Sequence, residues 1–139
     1  METRGQTTES RFTERSVSLP PLLALQAERL SRSLRAYTEK AWEVVEPSRA
    51  FVPNWHIDAI CDHLQAVSDQ QIRNLVITIP PRTMKSLLVC VLWPTWEWTK
   101  KPEIRQLFAS YSADLSKRDS IKCRSIIEST WYQQLWGRK

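Results

Sequence analysis

Apolar residues recur at roughly helical spacing from Leu22 through Leu23, Leu30, Leu34, Tyr37 and Ala41 to Val44 and Val45. Ser18 with Pro20 and Pro21 is a helix-start signal, and Pro47 is a stop. The pattern predicts one amphipathic N-terminal helix over 18–47, with Arg29, Arg32, Arg35, Glu39 and Lys40 on its solvated face. A connection from Pro47 to Pro53 leads to Asn54, a residue suited to cap a helix. Behind it Ile57, Ile60, Cys61, Leu64 and Val67 form a second core stripe, and Ser68 to Gln71 read as a polar loop. The short apolar run Leu75 to Ile79 reads as a buried strand. Lys85 to about Thr99 is apolar nearly all round, a covered helix that Pro94 should kink or bring to the end of its regular part.

Ile104 to Tyr111 reads as a second strand, and Ser112 can cap a last helix running through Leu115, Ile121, Cys123, Ile126 and Ile127 to about Ser129. The strand–helix–strand core is a βαβ unit, so the expected fold class is α/β with an incomplete parallel sheet. Residues 1–17 are polar and charged and read as a disordered tail, with the main unit over 48–139.

Composition narrows this only in places. Glycine occurs at Gly5 and Gly137 alone, so no turn in the middle of the chain has glycine's left-handed freedom at its disposal. The net charge of +5 suits a polyanionic partner without requiring one. Cys61, Cys90 and Cys123 are odd in number, lack CxxC spacing and sit in apolar or helical patterns, which points to reduced thiols and a cytoplasmic setting. The N-terminus has no apolar core of a signal peptide, and the stretch around Leu87 to Trp98 is too short to cross a membrane.

Candidate chemistry gathers at Ile79 to Leu88, which reads IPPRTMKSLL. Strand, tight turn, Lys85-Ser86 and helix is the layout of a phosphate-binding loop. Backbone N–H groups at the helix start cradle phosphate, the lysine neutralises the terminal phosphates, and the serine hydroxyl ligates Mg²⁺. The glycine positions of the usual pattern hold Ile79 and Met84 instead. The bland alternative is an ordinary crossover with a solvated Lys85.

The sequence PPR-x-x-KS after an apolar strand resembles the nucleotide-binding loop of bacteriophage terminase large subunits, ATPases that pump DNA into capsids. The resemblance extends upstream to Phe51-Val-Pro-Asn-Trp-His-Ile and downstream to Phe108 through Ser120 and to Arg124 through Tyr132, covering about 48–137. It implies the N-terminal portion of a P-loop ATPase domain that binds ATP and Mg²⁺, in a chain truncated before the acidic strand that positions Mg²⁺ and water and before the nuclease domain. ATP-driven packaging of phage DNA in a bacterial host is the implied ancestral role. Phage DNA, the small terminase subunit, the portal and a complementing C-terminal fragment are the implied partners, with no membrane. Whether the chain acts as an enzyme stays open at this point. The alternative is a non-catalytic DNA- or partner-binding module.

Residue by residue, the likeness places Pro81, Arg82, Thr83, Met84, Lys85, Ser86 and Leu87 around the phosphates, with Ser86 on Mg²⁺. Arg82 is either an arginine finger acting in cis or a surface arginine on an exposed turn. Thr83 either donates a hydroxyl or fills the turn. Trp55 and His56 either meet the adenine or anchor the helix start and face solvent. Lys117, Arg118, Lys122 and Arg124 on the last helix read as a solvated face before a DNA surface. Trp93, Trp96 and Trp98 read as core.

Overall fold

The computed structural model describes residues 20–137, so the tail expected over 1–17 lies outside the described residues. Those residues form six helices: α1 (Pro21–Arg32), α2 (Leu34–Val45), α3 (Trp55–Ser68), α4 (85–100), α5 (Ala113–Glu128) and α6 (Thr130–Trp136). Helix α4 is continuous through an α-helical start at Lys85–Leu87, a π-helical stretch at Leu88–Leu92 and a second α-helical part at Trp93–Lys100.

The expected α/β class with a parallel sheet is overturned, because no strand or sheet occurs among the described residues. The two expected strands are extended but unpaired. Along 75–79, Leu75, Ile77 and Ile79 turn toward the core while Val76 and Thr78 face out, and 104–108 alternates in the same way. The period-two burial of a strand is present. What is missing among the described residues is a neighbouring backbone, since no backbone–backbone hydrogen bond between them reaches 73–79 or 105–109.

The single helix expected over 18–47 is two helices. Ser33 leaves the helical region at φ −132° and ψ 110°, and its Oγ accepts from the Ala36 N–H at 3.2 Å, capping α2. Gln65 of α3 holds both sides of this break: its Nε2 donates to Arg32 O at 3.1 Å and its Oε1 accepts from Leu34 N–H at 3.2 Å. The helix expected to end at about Ser129 does so, and a further helix follows, capped by Ser129 Oγ, which accepts from the Tyr132 N–H.

The core lies where α2, α3 and α4 meet, covered by α1, α5 and α6. Leu34, Tyr37 and Ala41 of α2 pack with Ile57, Ile60, Cys61 and Leu64 of α3 and with Leu88, Val91, Leu92 and Trp96 of α4. Each such fully buried large aliphatic side chain contributes about 1.5–3 kcal/mol at the upper limit. All three tryptophans of α4 anchor it, with Trp93 Nε1 donating to Ser68 Oγ, Trp96 Nε1 to Leu30 O and Trp98 Nε1 to Ile104 O.

Pro94 does not end α4. Proline lacks the N–H that would normally reach the carbonyl four residues back, here that of Cys90. The Cys123 thiol of α5 donates to that carbonyl at 3.4 Å, and Thr95 Oγ1 donates to Val91 O and Leu92 O at 2.8 and 3.0 Å. The helix thus passes the proline with the Cys90 carbonyl supplied from a side chain of α5, while Thr95 back-bonds within α4.

Candidate functional site

The turn between the extended residues and α4 is built without glycine. Arg82 and Met84 take left-handed backbone angles, φ 67° and 64°, at positions where glycine would carry no strain. The Met84 side chain packs against the hydrophobic core, so it does not fill the outer face of the turn. Thr83 Oγ1 donates to Pro80 O at 2.7 Å, which commits the hydroxyl to closing the turn.

Met84 is the N-cap of α4 and offers no side-chain cap. The first backbone bond across this end runs from Leu88 N–H to Met84 O at 2.9 Å. The N–H groups of Lys85, Ser86 and Leu87 precede it and have no acceptor among the described residues. Ser86 is exposed and Lys85 half-buried, and neither Lys85 nor Arg82 enters an ion pair among the described residues. Three free donors, two unpaired cations and a hydroxyl therefore share one turn at the positive end of a helix. Such a set suits an oxyanion. Among the described residues no group of three or more His, Cys, Asp or Glu side chains could hold a metal ion, so Mg²⁺ here would rest on Ser86 and on phosphate oxygens.

Trp55 and His56 open α3, where Asn54 sits at the cap position with no side-chain cap bond. Trp55 is 78% exposed and its ring meets His56 edge-on at 6.1 Å. No hydrogen bond, ion pair or ring contact joins either residue to the turn at 81–86. His63 Nδ1 bonds locally to Ala59 O at 2.7 Å.

Half of the basic set on α5 is already engaged. Lys122 Nζ reaches Glu46 Oε1 at 2.8 Å and its hydrogen bond holds the Glu46 carboxyl below the usual range, while Arg118 pairs with Asp119 at 2.8 Å. Lys117 and Arg124 are exposed and have no ion pair among the described residues.

The thiols behave as core groups. Cys61 lies beside Thr38 Oγ1 at 3.8 Å, and burial pushes both Cys61 and Cys123 up to about 11. At that position they stay protonated at neutral pH and are poor nucleophiles.

The sequence pattern did not point to the left-handed backbone at Arg82 and Met84; the signal was the missing glycine itself, in a motif whose geometry needs positive φ. No helix among the described residues is long and apolar enough to cross a membrane. Compared with protein-family models, with curated proteins and with solved structures, the chain matches none.

Proposed function

We propose that the chain is a terminase large subunit-like protein whose working chemistry is the binding of a nucleoside triphosphate with Mg²⁺ at residues 81–86. The observation that carries this reading is the turn itself. Met84 takes the left-handed backbone that glycine would supply and turns its thioether inward, leaving the N–H groups of Lys85, Ser86 and Leu87 open toward an anion. Lys85 would neutralise the terminal phosphates, Arg82 would reach the outermost one, and Ser86 would share Mg²⁺ with phosphate oxygens. The sheet implied by the family likeness is no part of the proposal.

The reading is one of binding more than hydrolysis. Arg82, Lys85 and Ser86 offer positive charge and donors, whereas orienting an attacking water takes a further carboxylate or amide. A role in DNA packaging, with phage DNA, the small subunit and the portal as partners in the bacterial cytoplasm, belongs to the same proposal and rests on the sequence likeness. A non-catalytic DNA-binding module draws less support, because Arg118 and Lys122 are tied to Asp119 and Glu46.

Calorimetric titration of ATP·Mg²⁺ into the full chain and into Lys85→Ala tests the site. Loss of one charge-assisted contact to phosphate should weaken binding by roughly tenfold or more. Equal affinities, or no binding to either protein, would sink the proposal.

A further inference from the structure

Glu97 of α4 is only 8% exposed, yet among the described residues its carboxylate makes no hydrogen bond and no ion pair. A buried charge without a partner is costly, so such a group marks a place where something is missing. Its oxygens are not fully enclosed. Glu97 lines a cavity of about 410 Å³ between the end of α3, α4 and the segment 104–108. Val67, Trp93, Ile104, Leu107 and Phe108 form the apolar part of the wall. Gln106 lines the same cavity, and its Oε1 is buried with no hydrogen-bond partner. Two further polar groups of the wall are already engaged, with Trp93 Nε1 donating to Ser68 Oγ at 2.8 Å and Ser68 Oγ donating to Leu64 O at 3.2 Å.

We propose that this cavity binds a small organic cation, a primary ammonium ion on an apolar or aromatic stem, with its charge on the Glu97 carboxylate. The carboxylate and the Gln106 oxygen are both acceptors without donors, so the group that completes them must bring N–H. An ammonium carries three donors, enough to serve both, and its bonds to a carboxylate are charge-assisted. The stem would lie along Val67 and Leu107 and remove Leu107, 95% exposed, from water. The rings of Trp93 and Phe108 in the same wall favour a cation through their faces.

Two lysines bear on Glu97, and neither neutralises it by contact. Lys101 also lines the cavity but is exposed, so water screens its charge far more than that of the buried carboxylate. Lys100 holds its ammonium over the Trp96 ring, 3.5 Å from the centroid, and makes no ion pair with Glu97. A hard divalent metal ion fits the wall less well. Calcium takes about six to eight oxygen ligands, whereas no group of three or more His, Cys, Asp or Glu side chains gathers among the described residues. A neutral apolar ligand would bury the carboxylate further without a partner, and an anion would be repelled. The proposal uses none of the residues of the turn at 81–86 and stands or falls independently of nucleotide binding.

The test titrates the full chain with phenethylammonium by calorimetry. Binding should be saturable, and phenethyl alcohol, which has the same stem and no charge, should bind roughly tenfold more weakly or not at all. The trimethylated ion keeps the charge but has no N–H, and should bind several-fold more weakly than phenethylammonium. Glu97→Gln should lower phenethylammonium affinity by roughly tenfold or more while its urea midpoint holds or rises, since the substitution removes a buried charge that has no partner. Lys101→Ala, a change at an exposed residue, should raise the affinity a few-fold. Equal binding of phenethylammonium and either analogue would overturn the proposal, as would an unchanged affinity in Glu97→Gln. A large fall in the urea midpoint of Glu97→Gln would also overturn it, because the carboxylate would then already have a partner within the chain. So would displacement of phenethylammonium by Mg²⁺ or Ca²⁺ at equal concentration, which would make the cavity a metal site.

Discussion

Trp96 and Leu107 sit on consecutive elements and meet opposite ends. Trp96 is fully buried, donates its ring N–H to Leu30 O at 2.9 Å and has the Lys100 ammonium over its face at 3.5 Å. Leu107, equally apolar in character, stands 95% exposed. The difference lies in the backbone. A helix satisfies its own N–H and C=O groups, so α4 needs only side-chain cover, which α1, α2 and α5 provide. An extended segment needs another backbone beside it, and 105–109 has none among the described residues. Among the described residues the helical part satisfies its own backbone and the extended part does not.

The most forceful way to break that comparison is to truncate one residue on each side of it. Trp96→Ala should cost about 3–5 kcal/mol, because it removes a large buried ring, a buried hydrogen bond and a cation–π contact together. Leu107→Ser should stay within about 0.5 kcal/mol. Urea midpoints of the two variants measure both. A Leu107→Ser loss approaching that of Trp96→Ala would mean that the segment is already covered in solution.

Alkaline pH probes the helical side. Cys61 and Cys123 are pushed up to about 11 and Tyr132 to about 12 by burial, and burial raises Tyr37 as well. Raised folded-state values mean that the unfolded chain loses these protons first. The stability they contribute is therefore whole below about pH 9 and drains away as pH climbs through 11 and 12. Cys61 alone, buried against Thr38, should account for on the order of 2 kcal/mol at full loss. Denaturation midpoints between pH 7 and 11 should fall, and Cys61→Ala should flatten the lower part of that fall. An unchanged slope in Cys61→Ala would remove the thiol from the explanation.

These contrasts also mark what could be read from the sequence. Side-chain periodicity reports which face is buried, and it succeeded in part: Ile57, Ile60, Cys61 and Leu64 are all core, whereas Leu22 and Ile121, placed in similar stripes, stand exposed, and the run at 75–79 buries only alternate residues. It carries no information about which backbone lies alongside, so the step from two apolar runs to a parallel sheet failed. The break at Ser33 escaped because apolar spacing runs on through it, while the capping hydroxyl and the Gln65 clamp act on the backbone. That the helix runs on past Pro94 was likewise not legible, since the thiol that takes up the open Cys90 carbonyl comes from a helix far along the chain. At the turn the order of residues was legible and the backbone was not.

Non-glycine residues in the left-handed region give the finest test, because two of them divide between the two sides of the turn's chemistry. Gln70 has φ 61° just past the end of α3, and Arg82 has φ 67° ahead of α4; both are exposed. Glycine at either position removes the clash of Cβ with its own backbone and gives up little packing, so Gln70→Gly and Arg82→Gly should each stabilise the chain by about 1 kcal/mol. Thermal or urea unfolding of the two variants checks this. Their effects on nucleotide should separate. Gln70→Gly leaves every group of residues 81–86 in place and should leave ATP·Mg²⁺ affinity unchanged, whereas Arg82→Gly removes one of two unpaired cations there and should lower it several-fold. Equal affinity in both variants, alongside equal stabilisation, would leave Arg82 as a strained surface residue and confine phosphate binding to Lys85, Ser86 and the helix start.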